Sequence, residues 1–116
     1  MNELDVLAKA NRINLLFDFY EPLLTDKQQT FLKYYFHDDY SLGEIASLFD
    51  ISRQAVYEHI KRAEVALEEY ETKLKLLQKH LALAASLDDL EQLFEQQVMD
   101  RSDRIRILTQ LRSLGN

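Results

Sequence analysis

Five side chains within nine residues, Arg53, Gln54, Tyr57, Glu58 and Lys61, are of types that suit the exposed edges of base pairs. Arginine offers guanine a two-pronged donor, glutamine matches adenine, and glutamate accepts from the cytosine amino group. Tyr57 can touch a phosphate or a thymine methyl. On a helix whose Val56, Ile60 and Ala63 turn inward, the five fall on the opposite, outward face. Lys27, Lys33, Ser52, Lys61 and Arg62 are the corresponding candidates for phosphate contacts, which position a protein on a duplex without specifying sequence. A solvated helix face is the plainer explanation of the same residues, so the elements around them have to decide.

Those elements carry their own marks. Ser41 followed by Glu44 is a capping box, and Ser52 stands where an N-cap hydroxyl opens a second helix. Ile45, Ala46, Leu48, Ile51, Val56 and Ile60 supply apolar contacts, with Ala46 small enough for two helices to cross closely. Asp50 falls at the turn between them, where positive φ is expected and Asp tolerates it. Residues 41–63 therefore read as a helix-turn-helix with its recognition helix, a unit that enters the major groove of DNA.

Other chemistry finds little support. His37, His59 and His80 are far apart and lack ligand spacing, so no metal site or cofactor is expected. Glu68-Glu69 and Asp88-Asp89 are adjacent pairs, which on a helix point about 100° apart and share no site. There is no glycine-rich phosphate loop and no nucleophile elbow, and without cysteine there is no thiolate chemistry. The chain reads as a non-enzyme.

Two Gly and one Pro among 116 residues leave little turn chemistry for hairpins, while 47% hydrophobic content supports a real core. An all-α protein follows. The acidic N-terminus lacks the pattern of a secretory signal, and no apolar run approaches the ~20 residues of a membrane span. With no cysteine to oxidise, a soluble cytoplasmic protein is expected.

The net charge of −6 runs against the basic footprint of most DNA binders. Its distribution softens the objection: residues 25–62 carry −1, residues 63–99 carry −5 and residues 100–116 carry +2. Any affinity for DNA is expected to be modest and salt-sensitive unless a dimer doubles the contacts.

A first helix is predicted from Leu4 to about Tyr20, with Val6, Ile13, Phe17, Tyr20 and Leu24 facing the core and Pro22 near its end. Thr25 with Gln28 forms another capping box, opening a helix to about Tyr35 with Phe31, Leu32, Tyr35 and Phe36 apolar. Beyond Ile60, apolar residues recur at Ala63, Leu67, Tyr70, Leu74, Leu77, Leu81 and Ala84 in steps of three and four. No Gly or Pro interrupts residues 44–114, so one helix from Arg53 to about Ala84 is expected, spanning roughly 48 Å. Its stripe, through Leu67, Tyr70, Leu74, Leu77 and Leu81, packs either on the C-terminal helices or on a second copy in a homodimer. Ser86 with Asp89 opens a helix of about Leu87–Met99 with Leu87, Leu90, Phe94 and Val98 on one face. After residues 100–103 a last helix carries Ile105, Leu108 and Leu111 and ends at Gly115 in the C-cap position. The expected division is a DNA-binding region over 1–63 and an acidic helical extension over 64–116, together one compact unit.

The segment from Leu24 to Gln29, followed by Ser41 to Ala63, resembles region 4 of bacterial sigma factors, which reads promoter DNA. Over its full length the chain resembles a narrower group, the YlxM family of small bacterial helix-turn-helix proteins. The length, the Phe17-Asp18-Phe19-Tyr20-Glu21-Pro22-Leu23-Leu24-Thr25 segment, the Ile51-Ser52-Arg53-Gln54-Ala55-Val56-Tyr57 core and the long acidic helix carry that likeness. It implies a sigma-region-4-like helix-turn-helix whose long recognition helix continues into a C-terminal helical bundle or coiled-coil extension. It further implies a transcriptional regulator that binds double-stranded DNA, with a link to the signal recognition particle pathway that rests on gene neighbourhood. The alternative is a non-DNA interaction module that binds the signal recognition particle GTPase or its RNA.

Overall fold

The computed structural model describes residues 2–96 and 101–115, and those residues form six α-helices and no strand. Helix α1 runs Glu3–Tyr20, α2 Asp26–Leu32, α3 Leu42–Phe49, α4 Arg53–Leu74, α5 Leu76–Gln96 and α6 Arg101–Leu114. The backbone divides into two compact units between Leu74 and Lys75. The all-α expectation is borne out.

The starts are local chemistry. The Asn2 side chain accepts from Asp5 N at 2.8 Å, capping α1, and Glu3 and Asp5 complement the positive end of the helix. Both expected capping boxes are formed: Thr25 with Gln28 at α2, and Ser41 with Glu44 at α3. Each satisfies two backbone donors that a helix start leaves without partners. Pro22 sits in the short 3₁₀ turn Glu21–Leu23 that ends α1, where its missing N–H costs nothing.

In the first unit α4 packs against α1, α2 and α3. Its Val56, Ile60, Ala63 and Leu67 repeat at helical spacing and are buried, meeting Ile13, Leu16, Phe17 and Tyr20 of α1, Phe31 and Leu32 of α2, and Ile45 and Ala46 of α3 in one core. Four expected core members lie outside it. Val6 is 55% exposed because the first two turns of α1 project beyond the core, which begins at Ile13. Leu48 and Ile51 flank the turn at the rim while Ile45 and Ala46 take the helix crossing, and Tyr35 is also exposed. Leu16, fully buried, was missed.

Helix α2 does not end cleanly. Residues Lys33–His37 continue it as a wider π turn, which places His37 edge-on against Phe17, ring centroids 5.1 Å apart. His59 stacks flat on Phe31 at 5.0 Å. His37 and His59 thus serve aromatic packing.

The long recognition helix is shorter than expected. Lys75 adopts φ 57°, in the left-handed region, so α4 stops at Leu74 and α5 begins at Leu76. The absence of Gly and Pro had suggested continuity, but a single L-residue can take this conformation at a cost of about 1–2 kcal/mol. The expected boundary at 63 also moves, because α4 stays tied to α1 almost to its end. Arg12 pairs with Glu68, Lys9 with Glu64, and the Tyr20 hydroxyl donates to the buried Glu71 carboxylate at 2.6 Å. In the second unit α5 packs along α6, with Leu77, Ser86 and Ile107 buried. Val98, Met99 and Asp100, assigned above to the helix ending near Met99 and to the link after it, lie outside the described residues.

Candidate nucleic-acid interface

The helix-turn-helix forms as expected. Asp50 closes α3 at φ 53°, ψ 47°, and its N–H bonds back to the Ala46 carbonyl. Ile51 N continues that closure onto the same carbonyl at 3.1 Å. Ser52 Oγ accepts from Ala55 N at 3.0 Å, so the hydroxyl caps the recognition helix. Asp50 and Ser52, two positions apart, therefore turn the chain and restart it, which sets the angle at which α4 is presented.

Arg53, Gln54 and Glu58 are exposed on the first turns of α4. Gln54 Nε2 donates to Glu58 Oε1 at 3.4 Å, so these two already form one polar strip. Arg53 leans back across α3: a methyl group on Gly43 would lie 3.4 Å from its Nε. Tyr57 and Lys61 turn the other way, toward α1. Their side chains meet with Lys61 Nζ 5.5 Å from the Tyr57 ring centre, and Lys61 shares the Glu64 carboxylate with Lys9 at 3.5 and 3.3 Å. Both line a cavity of about 360 Å³ with Val6, Ala10, Phe36 and Leu42. The five candidate base-reading residues are thus divided between two faces of one helix.

Of the phosphate candidates, Ser52 and Arg62 are exposed on or beside α4, Lys27 on α2 and Lys33 on the turn that follows it. The packing candidates are also divided. Leu67 is buried within the first unit, and Tyr70 stacks on Tyr20 at 5.9 Å and donates to the Leu23 carbonyl at 3.0 Å. Leu77 is buried in the second unit, while Leu74 and Leu81 are exposed. Lys75 breaks the seam they were expected to share.

Charge pairing between α1 and α4 was missed, although Lys9 and Arg12 stand one turn apart, as do Glu64 and Glu68. Arg12 grips Glu68 through both carboxylate oxygens at 2.7 and 2.8 Å. That hydrogen bonding holds the Glu68 carboxyl below the usual carboxylate range, against a smaller opposing effect of burial, and raises Arg12 further. Part of the acidic charge after residue 63 therefore ties α4 to α1 and is neutralised there.

A family model described as "Putative helix-turn-helix protein, YlxM / p13 like" matches residues 7–109. The chain belongs to the UPF0122 family. A UPF0122 protein of Listeria innocua is 47% identical over 107 residues, covering 87% of this chain and 97% of the relative. One from Bacillus thuringiensis is 53% identical over 92 residues, covering 79% and 84% respectively. The match spans the helix-turn-helix and most of both units, so the UPF0122 likeness is not confined to the reading motif. Among the described residues no helix is long and apolar enough to cross a membrane.

Proposed function

We propose that this UPF0122 protein is a cytoplasmic, non-catalytic transcriptional regulator that reads double-stranded DNA through the start of α4 and acts as a homodimer. The observation that carries the reading is the Asp50 turn with the Ser52 cap, which presents exposed Arg53, Gln54 and Glu58 together at the N-terminal end of the second helix. That end is where helix-turn-helix proteins meet base edges. Ser52, Arg62, Lys27 and Lys33 serve as phosphate contacts, and Tyr57 and Lys61 have to swing from the α1 side to join the base contacts.

The test is selection of bound duplexes from a random pool, repeated with Arg53→Ala/Gln54→Ala. The wild type should enrich a defined site, and the variant should keep its helix content while losing sequence preference. A variant that selects the same site overturns the assignment of that face.

A second reading is favoured by the pairing of Lys61 and Lys9 with Glu64, which takes two cations beside the motif up within the fold. In it the helix-turn-helix is a scaffold, and the protein binds the signal recognition particle GTPase or its RNA. Salt separates a DNA reader from a protein partner. A dimer contacting ~6 phosphates should lose about a thousandfold in affinity between 50 and 200 mM salt, while an apolar protein contact responds far less.

A further inference from the structure

The break at Lys75 starts a new apolar register. Along α5, Leu76, His80, Leu83, Leu87, Leu90 and Phe94 follow one another in alternating steps of four and three, the spacing of a coiled-coil seam. This is not the stripe that continues from α4, which would run through Leu77 and Leu81. Helix α6 leaves much of it exposed: Leu76 and Leu83 are each 41% exposed, Leu87 50% and Phe94 63%, while Leu90 is half-buried. Buried Ser86, on the same helix, lies roughly a quarter-turn round from the stripe. A soluble helix that leaves such a seam in water forgoes most of its apolar stabilisation.

We infer that the stripe is covered by α5 of a second copy, running antiparallel about a two-fold axis at the level of Ala85. This deepens the homodimer reading above by naming the surface. Two features point to self-pairing. First, the spacing is palindromic: Leu76 and Phe94 are equidistant from Ala85, as are His80 and Leu90, and Leu83 and Leu87. An antiparallel copy therefore sets Leu76 against Phe94 and Leu83 against Leu87 without a register shift, as an isologous interface requires. Second, charge selects the direction. Lys75 and Lys79 lie in or just before the first turns, whereas Asp88, Asp89, Glu91 and Glu95 crowd the second half. Antiparallel apposition brings the basic end of one helix beside the acidic end of the other and opposes the helix dipoles; parallel apposition stacks carboxylates on carboxylates. The 21 residues of α5 give a seam about 31 Å long, long enough for a stable two-helix contact.

Because the chain has no cysteine, single-cysteine variants report the pairing directly. Leu76→Cys and Phe94→Cys, mixed and oxidised without DNA, should form the mixed disulfide, and neither alone should couple to itself. Self-coupling of Leu76→Cys, or no coupling in the mixture, overturns the inference. In sedimentation the wild type should be a dimer, and Leu83→Glu/Leu87→Glu should weaken association by about a hundredfold or more with helix content kept. A wild type that stays monomeric, or association that the double variant leaves unchanged, overturns it as well. Arg53→Ala/Gln54→Ala should still give the mixed disulfide when placed in both cysteine variants. Loss of sequence preference with dimerisation intact thus reports on the reading face alone, and loss of the disulfide on the seam alone.

Discussion

Replacing Lys75 by glycine should stabilise the protein, and the sign of the effect is what tests the structure. At φ 57° the lysine side chain crowds the following carbonyl, costing about 1–2 kcal/mol that glycine does not incur. Glycine also gains freedom in the unfolded chain, which returns roughly 0.5–1 kcal/mol of that relief. The net expectation is a gain of about 0.5–1 kcal/mol, or about 2–5 °C in the melting temperature of a chain this size. Were residues 53–84 one unbroken helix, the same substitution would cost about 1 kcal/mol, as glycine does inside any helix. Urea unfolding followed by circular dichroism at the helix band resolves that difference. Destabilisation of Lys75→Gly by about 1 kcal/mol would refute the break between α4 and α5, and with it the register of the exposed seam.

Two further expectations concern the union of α1 with α4. Tyr20→Phe removes the 2.6 Å hydrogen bond to the buried Glu71 carboxylate and should cost about 1.5–3 kcal/mol in the same unfolding assay; a loss below about 0.5 kcal/mol would show that the bond is not formed in solution. Arg12→Ala should cost less than about 1 kcal/mol, since both partners of that ion pair are roughly half exposed and screened by water. The pair's contribution also has a defined pH dependence. The Glu68 carboxyl is lowered in the folded state, so its stabilisation is complete above the ordinary carboxylate range and disappears as pH falls through the depressed value. The stability gap between wild type and Arg12→Ala should therefore close on acidification below that range, and a gap that widened instead would contradict the pairing.

Most of the reading unit was legible from residues a few positions apart. The capping boxes of Thr25 with Gln28 and Ser41 with Glu44, the Asp50 turn and the Ser52 cap all depend on neighbours within one or two turns, and the inward side of Ile45, Ala46, Val56 and Ile60 follows from the helical period. Local hydrogen bonding and helical period are short-range physics, and the sequence carries them without reference to the rest of the chain. The outward exposure of Arg53, Gln54 and Glu58 followed from the same period.

What remained depended on partners distant in the chain. A lysine in the left-handed region has no local signature, because Lys75 resembles any exposed helical residue until the units on either side of it pack separately. Tyr57 and Lys61 share the exposed side of α4 with Gln54 in a helical projection, yet the Glu64 carboxylate, itself paired with Lys9 of α1, holds Lys61, and Tyr57 lies against Lys61. The acidic run after residue 63 looked like a solvated extension, and only the placement of Lys9, Arg12 and Tyr20 beside Glu64, Glu68 and Glu71 made it a wall of the first unit. The sequence by itself determined the starts of α2, α3 and α4, the all-α class and the reading motif, because each rests on contacts within a turn or two, whereas the start expected at Ser86 is not formed and α5 runs through it from Leu76 to Gln96. Tertiary structure alone decided where the long helix breaks, which charges are neutralised and which apolar side chains of α5 stay exposed, because those depend on long-range packing that no local spacing encodes.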